Sequence, residues 1–303
     1  MRVLVVGWSS PLHGESTAGD VLSAEAVCAR LAAERVAFDT AWSPAMHRAY
    51  GPRGGLLLDD AVARAADYTH LVWACGPLTG RQVQELHEAF AHCRRLAVGV
   101  SVLDPADPAV TGFDVVVPRD APGAPPQRDL AAAAPVPPLP LLGVFLTHGQ
   151  GEYGAARRHE EVSAALGGWL AEQRCARLVL ETRLDPRDWR LPATAEEVVA
   201  AVARTDAVVT TRLHGLVLAL RAGVPAIAVD PVAGGAKVSA QARAWGWPAL
   251  VGAQELLAGP GVLDEHLAWC LSGAGRAEAA RCRDEAPGAG AAQLEALVAA
   301  LRG

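Results

Sequence analysis

The stretch Asp206-Ala-Val-Val-Thr-Thr-Arg-Leu-His-Gly-Leu-Val-Leu-Ala-Leu-Arg-Ala-Gly-Val-Pro-Ala-Ile-Ala-Val-Asp230 has the pattern of a strand–helix–strand unit. A short apolar run ends at Thr210, and the apolar spacing after it predicts a helix from about Gly215 to 222. Gly223 is a typical residue just past a helix end, and Pro225 cannot continue a helix, so a strand is expected over 225–230. A strand, a helix and a second strand in this order predict a parallel sheet with crossover helices.

The same alternation of short apolar runs and amphipathic segments extends along the whole chain of 303 residues. Strands are predicted at 2–7, 70–75, 96–102, 113–117, 141–147, 177–181, 207–210 and 225–230. Helices are predicted at 20–34, 57–66, 80–93, 155–173, 195–203, 215–222, 237–244, 253–257, 263–271 and 291–301. Prolines at about 121–140 remove backbone donors and favour an extended inter-domain linker. The predicted fold class is therefore α/β, with two Rossmann-like doubly wound lobes, 1–134 and 141–303, facing a central cleft.

The charge, the cysteine spacing and the hydropathy of the sequence argue against several classes of protein. The net charge is −6, so no basic surface for nucleic acid or anionic lipid is expected. The six cysteines are widely spaced without a CxxC pair, which predicts no metal site and is typical of a reduced, cytoplasmic protein. No uncharged apolar run approaches eighteen residues, so no transmembrane segment is predicted. Nothing in the pattern indicates an oligomeric state.

Thr211-Arg212-Leu213-His214-Gly215 is placed at the junction between a predicted strand and a predicted helix. The free N–H groups of a helix N-terminus carry partial positive charge and bind anions. Arg212 adds a guanidinium fork suited to phosphate or carboxylate, and His214 adds a group that exchanges protons near neutrality. The stretch predicts a site for an anionic reactant that needs protonation, rather than an arginine and a histidine that merely cap and pack.

This segment resembles the core motif of the polysaccharide pyruvyl transferases, in which a strand, Arg-Leu-His, an apolar helix and a Gly-Val-Pro turn follow one another. Lys237 resembles the lysine that commonly follows in that family. Ser16-Thr-Ala-Gly-Asp20 and Val117-Pro-Arg119-Asp120 resemble two elements of its first lobe. The family is similar in architecture to two-lobed glycosyltransferases, so the resemblance implies a GT-B-like arrangement.

The resemblance implies transfer of the enolpyruvyl group of phosphoenolpyruvate, a donor substrate and not a cofactor, onto hydroxyls of a sugar-containing acceptor. His214 would be the general acid that protonates the donor methylene, and Arg212 would hold the donor's phosphate or carboxylate. A base is also needed, for which Asp20 is the candidate. The remaining donor-site residues implied by this motif are Leu213, Gly215 and Lys237.

A second loop is predicted to face the same cleft. Gly149-Gln-Gly151-Glu-Tyr-Gly154 follows a predicted strand, and glycines allow a ligand to approach backbone amides closely, so Gly149 and Gly151 are candidate ligand contacts. His148, at the end of that strand, could assist proton transfer. The family usually has an arginine at this strand end, so here Arg157 or Arg158 would hold the donor's second anionic group.

Three alternatives stay open. The same two-lobed fold also suits a glycosyltransferase or another sugar-nucleotide enzyme. The run Gly149–Gly154 is a literal G-x-G-x-x-G between a strand and a helix, with Glu181 ending the next strand, which is the pattern of an NAD(P)-binding protein. The glycine run could also be a purely structural turn.

Overall fold

The computed structural model describes residues 1–11, 16–51, 54–147 and 149–302. The chain divides into two compact units, Met1–Pro137 and Pro138–Gly303. Each unit contains one parallel sheet whose strands alternate with helices along the chain. The predicted α/β fold class with two doubly wound lobes is confirmed.

The first unit has six parallel strands in the order β3-β2-β1-β4-β5-β6. The strands are β1 Arg2–Val6, β2 Ala37–Trp42, β3 Leu56–Leu57, β4 His70–Ala74, β5 Arg94–Ser101 and β6 Val115–Asp120. The helices are α1 Ala18–Ala33, α2 Pro44–Tyr50, α3 Leu58–Ala63, α4 Arg81–Ala89 and α5 Pro108–Thr111. This order reverses direction between β1 and β4, as in a Rossmann sheet.

β1 is buried on both of its faces, which explains its continuous apolar sequence. Leu4 and Val6 belong to the larger cluster of the first unit. Val3 and Val5 pack in a separate cluster with Ala24 of α1. Helices therefore cover both sides of this sheet.

The predicted linker 121–140 is partly docked on the first unit. Gln127 N–H donates to Arg119 O, and Leu130–Ala133 form a short 3₁₀ turn. The carboxylate of Asp129 accepts a hydrogen bond from Ser23 of α1 at 3.1 Å. Only the prolines that follow this turn reach the boundary between the two units.

The second unit has five parallel strands in the order β11-β10-β9-β7-β8. The strands are β7 Leu141–Phe145, β8 Ala176–Val179, β9 Ala207–Thr210, β10 Ala226–Asp230 and β11 Leu250–Gly252. The helices are α6 His159–Glu172, α7 Ala195–Val202, α8 Leu213–Arg221, α9 Lys237–Ala244, α10 Ala253–Ala258, α11 Gly261–Cys270, α12 Gly273–Glu285 and α13 Ala291–Arg302. β9 and β10 are buried along their whole length, and the strand order reverses direction between β7 and β9.

Several helices begin at other residues than the sequence predicts. Helix α6 begins at His159 rather than 155, because Gly151–Ala156 form a 3₁₀ turn instead. Helix α8 begins at Leu213, two residues before the predicted start. The elements absent from the prediction are β2, β3, β11, α2, α5 and α12.

Candidate functional site

The site is built at the carboxyl ends of β7 and β9, where the strand order of the second unit reverses. Thr211 N–H donates to Phe145 O at 2.9 Å, and Thr147 N–H donates to Thr211 Oγ1 at 2.8 Å. These bonds join the two strand ends beyond the last ladder pair, Phe145 with Thr210. Ligands of doubly wound sheets bind at such a reversal, because the loops there diverge.

Helix α8 starts at this junction, with Arg212 as its N-cap residue. Arg212 N–H donates to Thr210 Oγ1 at 2.9 Å, and the first bond closed inside the helix runs from Leu216 N–H to Arg212 O. A side chain on Gly215 would place its Cβ 2.2 Å from Thr210 Oγ1 and 3.1 Å from the Phe145 ring. The absent side chain therefore lets the first turn of α8 lie directly on the strand end.

The guanidinium of Arg212 spans the end of β7 and reaches the loop after β8. Nη1 lies 2.9 Å from Glu181 Oε1 and Nη2 lies 3.2 Å from Oε2. Nη1 also donates to Thr182 Oγ1 at 3.0 Å, and Nε donates to Leu146 O at 3.2 Å. Arg212 is thus paired with a carboxylate, and an anionic ligand has to compete with Glu181 for it.

A cavity of about 130 Å³ opens at this helix start and is called the anion cavity below. It is lined by Thr147, Gln150, Thr182, Arg212, Leu213, His214 and Lys237. Four residues predicted from the sequence, Arg212, Leu213, His214 and Lys237, are therefore brought together. The side chain of His214 is exposed at the cavity, in the first turn of α8.

Lys237 reaches the cavity from the start of α9. Its Nζ is 5.7 Å from the centre of the Tyr153 ring, a cation–π distance. The buried carboxylate of Asp230 accepts hydrogen bonds from Ala236 N–H at 2.6 Å and Ser239 N–H at 2.8 Å. Asp230 therefore holds the loop and the helix start that carry the lysine.

The glycine loop reaches the cavity through Gln150 rather than through its glycines. A Cβ on Gly149 or Gly151 would meet nothing within 4 Å, so both residues border open space. Gln150 Oε1 lies 3.0 Å from Nε2 of His159, whose side chain is fully buried. Sequence reasoning missed Gln150, His159 and Tyr153, since their grouping depends on how the 3₁₀ turn folds back.

The NAD(P) fingerprint does not have its usual geometry here. In that fingerprint the glycines open the helix, which places the pyrophosphate on its N-terminal amides. Here α6 begins at His159, five residues beyond Gly154. Glu181, the candidate ribose ligand, is bound to Arg212 and accepts hydrogen bonds from Thr182 N–H and Arg183 N–H. Neither the glycine loop nor Glu181 therefore has the arrangement that the NAD(P)-binding alternative requires.

Arg157 and Arg158 lie at the end of the 3₁₀ turn and do not line the anion cavity. Arg157 Nε donates to Gly149 O at 2.6 Å, and its Nη2 pairs with Glu160. Arg158 Nη1 donates to the carbonyls of Ala155 and Arg157. The Arg157 guanidinium holds the start of the glycine loop, and that of Arg158 holds the end of the 3₁₀ turn. Their role in holding the donor stays a prediction. The predicted residue His148 lies outside the described residues.

In the first unit, both family-like elements have a structural role. Asp20 is 9% exposed and completes a capping box at the start of α1, where Oδ2 accepts from Thr17 N–H and from Thr17 Oγ1–H, each at 2.8 Å. Arg119 pairs with Asp120 and Asp129. The role of Asp20 as a general base stays a prediction.

Two further properties concern the described residues as a whole. Among the helices of the described residues, none combines the length and the apolar character that a membrane span requires. Within the same residues, no group of three or more His, Cys, Asp or Glu side chains is arranged to hold a metal ion.

One protein family has a sequence model that matches a segment containing part of the site. The sequence model of the polysaccharide pyruvyl transferases matches residues 179–231, which contain Glu181, Arg212 and His214. The predicted transferase class and the predicted resemblance to this family are both confirmed over that segment. No curated protein matches the chain.

Similar solved structures cover nearly the whole chain at low identity. A structure of the spinosyn rhamnosyltransferase SpnG with thymidine diphosphate is 13% identical, covers 97% of this chain and 100% of its own, and has a TM-score of 0.35. The calicheamicin glycosyltransferase CalG4 is 15% identical, with coverages of 100% and 99% and a TM-score of 0.35. The ADP-heptose LPS heptosyltransferase II of E. coli is 16% identical, with coverages of 89% and 98% and a TM-score of 0.29.

Proposed function

We propose that the protein transfers the enolpyruvyl group of phosphoenolpyruvate to a sugar-containing acceptor and forms a pyruvate ketal. The observation that carries the proposal is the grouping of Arg212, His214 and Lys237 with the first turn of α8 around one small cavity. A cavity of about 130 Å³ is smaller than the roughly 300–1,000 Å³ typical of drug-sized ligands, so it suits a compact anion.

In the proposed reaction, His214 as imidazolium donates a proton to the methylene carbon of the donor, and positive charge develops on the adjacent carbon. An acceptor hydroxyl attacks that carbon and loses its proton to a base. The carbon–oxygen bond to phosphate then breaks, phosphate leaves with the electron pair, and a second acceptor hydroxyl closes the ketal. The hydrogens of the two hydroxyls end on the new methyl group and on phosphate, so the reaction needs no oxidant or reductant.

The cationic groups supply the electrostatic part of this reaction. Arg212 offers a fork that suits a carboxylate or a phosphate, and the first turn of α8, whose N–H groups have no partner inside the helix, lines the same cavity. Lys237 adds a mobile point charge that suits the leaving phosphate. Because Glu181 already occupies Arg212, donor binding requires the donor's anionic group to displace or share that guanidinium.

The direct test is release of phosphate from phosphoenolpyruvate in the presence of a sugar acceptor. Phosphate release that depends on the acceptor, and that is lost in Arg212→Ala and His214→Ala, supports the proposal. A thermal-shift panel separates the alternatives: phosphoenolpyruvate at a hundred times its Kd adds about 2.7 kcal/mol of stability. Stabilisation by UDP-sugars with none by phosphoenolpyruvate would instead favour a sugar-nucleotide enzyme.

A further inference from the structure

A second cavity of the same unit, about 630 Å³ in volume, lies between the sheet edge and the loop that joins β8 to α7. It is called the Trp189 pocket below. Most of its lining is apolar, from Val144, Leu146, Val179, Leu191, Val198 and Ala201. Its size and lining match those of small-molecule sites, which are mostly apolar with a few polar groups.

The indole of Trp189 forms one wall of this pocket and is 93% exposed. Val179, on the edge strand β8, is 85% exposed beside it. Exposed tryptophan is uncommon away from binding surfaces, because the ring carries a large apolar area. A flat aromatic group stacked on this ring would remove both surfaces from water.

The polar groups of the pocket disfavour an anionic ligand. The carboxyl groups of Glu181 and Glu197 both line it. Arg190 also lines the pocket, but its guanidinium is paired with Asp188 at 2.8 Å. A phosphate in this pocket would face two carboxylates, whereas sugar hydroxyls could donate hydrogen bonds to them.

The Trp189 pocket shares a wall with the anion cavity. Leu146 and Glu181 line the pocket, and the carbonyl of Leu146 and the carboxylate of Glu181 are bound to Arg212, which lines the anion cavity. A ligand in the pocket therefore lies directly beside a donor held at Arg212.

We propose that the Trp189 pocket binds a neutral ligand in which an aromatic ring is joined to a sugar, as in an aryl glycoside or a nucleoside. The ring stacks on Trp189, and the sugar hydroxyls face Glu181 and Glu197. The assignment of this ligand as the acceptor rests on the proposed function; the binding site itself does not.

Calorimetric titration of the full chain tests the site with three probes: 4-methylumbelliferyl glucoside, uridine and methyl glucoside. We expect one or both aromatic probes to bind and methyl glucoside to bind at least about tenfold more weakly, since stacking is worth roughly 1–3 kcal/mol. Binding of the aryl glucoside alone indicates an aromatic aglycone as the source of the ring, and binding of uridine alone indicates a nucleoside.

Two variants and one control locate the binding. Trp189→Ala removes the exposed ring, and Ala201→Leu fills the pocket from α7 with a good helix former. Each should weaken binding of the aromatic probe by about tenfold, while Leu257→Ala, at a 44% exposed position on α10, should leave it unchanged. The proposed site would be wrong if all three probes bound with equal affinity. It would also be wrong if both pocket variants bound the aromatic probe as tightly as the unchanged protein.

Failure of this site and failure of the proposed function give different results. If phosphoenolpyruvate binds and no aromatic probe does, the donor assignment stands and the pocket assignment is wrong. If an aromatic probe binds and phosphoenolpyruvate does not, the pocket stands and the proposed reaction is wrong.

Discussion

Glu181 and Arg212, 31 residues apart in the sequence, meet across the carboxyl end of β7 with Oε1 and Nη1 2.9 Å apart. The pair is partly open to solvent, with side-chain exposures of 30% and 26%. An ion pair in that position contributes little to stability, so it is better understood as a competitor for the anionic ligand. This relationship leads to the first two predictions.

Glu181→Gln should tighten binding of phosphoenolpyruvate. The substitution keeps a similar shape but removes a negative charge beside the anion cavity, which is worth about 1 kcal/mol at 4 Å in water, or roughly fivefold in Kd. Titration calorimetry at low salt measures the effect. Glu265→Gln, on an exposed position of α11, is the control and should not change the Kd. Weaker binding in Glu181→Gln would mean that Glu181 serves chiefly to orient Arg212.

Arg212→Lys should weaken binding of phosphoenolpyruvate by about tenfold, although the charge is kept. Lysine cannot reproduce the guanidinium fork or the simultaneous bonds to Leu146 and Thr182. The free energy of unfolding should change by less than about 1 kcal/mol, because the pair with Glu181 is partly exposed. Arg221→Lys, at the other end of α8, is the matched control. Unchanged affinity in Arg212→Lys would remove Arg212 from the donor site.

His214→Asn should lower the rate of phosphate release by about 10²–10⁴-fold, the usual contribution of a positioned acid. The Kd for phosphoenolpyruvate should change far less, because Arg212, Lys237 and the helix amides remain. Single-turnover phosphate release and calorimetry separate the two quantities. His266→Asn on α11 should behave like the unchanged protein. An equal loss in rate and in affinity would make His214 a binding group rather than the acid.

Gly215→Ala should destabilise the second unit by roughly 1–3 kcal/mol, since the added methyl has to displace Thr210 Oγ1 or lift the helix start. Gly151→Ala is the control, because nothing lies within 4 Å of its added Cβ. Urea unfolding of the two variants gives the comparison. Equal stability would show that α8 can shift away from the strand end without penalty.

Stability should decrease as the pH falls below about 6.5, the ordinary pKa of histidine. Burial lowers the pKa of His159 and of His87, and Arg157 lowers that of His159 further. Among the described residues, Nδ1 of each ring is buried without a hydrogen-bond partner, so the folded state resists adding a proton there.

The unfolded chain protonates His159 and His87 more readily than the folded chain does. The loss of stability therefore begins near pH 6.5 and is complete below the lowered pKa values. Thermal unfolding between pH 7.5 and 5 measures it. His159→Gln should make the dependence of stability on pH less steep, because one of the two histidines is then absent. An unchanged slope in that variant would show that His159 takes up its proton in the folded state.

The strongly apolar part of the second unit could be predicted from sequence alone. The strand 207–210 and the helix 237–244 have the predicted bounds, and the strand is buried throughout, which leaves a clear local pattern. β2, Ala-Phe-Asp-Thr-Ala-Trp, has mixed burial and only a weak alternation, so it was missed. Helix α2 was missed although Ser43 and Pro44 form a standard helix start.

The site was predictable only in part. Arg212, His214 and Lys237 follow from one continuous motif, and the structure brings them to one cavity. The pairing of Arg212 with Glu181 depends on β7 lying between β8 and β9, and strand order is not written in local sequence. The position of Trp189 at the Trp189 pocket depends on a loop without regular structure. Both contacts come from tertiary arrangement rather than from periodicity.

The buried carboxylate of Asp230 affects how strongly the site can bind an anion. It ties the amides of Val232, Ala236 and Ser239 to one point, so the turn before α9 is held in place by the fold itself. The side chain of Lys237 still has to be ordered when an anion binds, but the backbone that carries it does not. The ordering entropy of that turn was spent during folding, so a small anion can be held by few contacts.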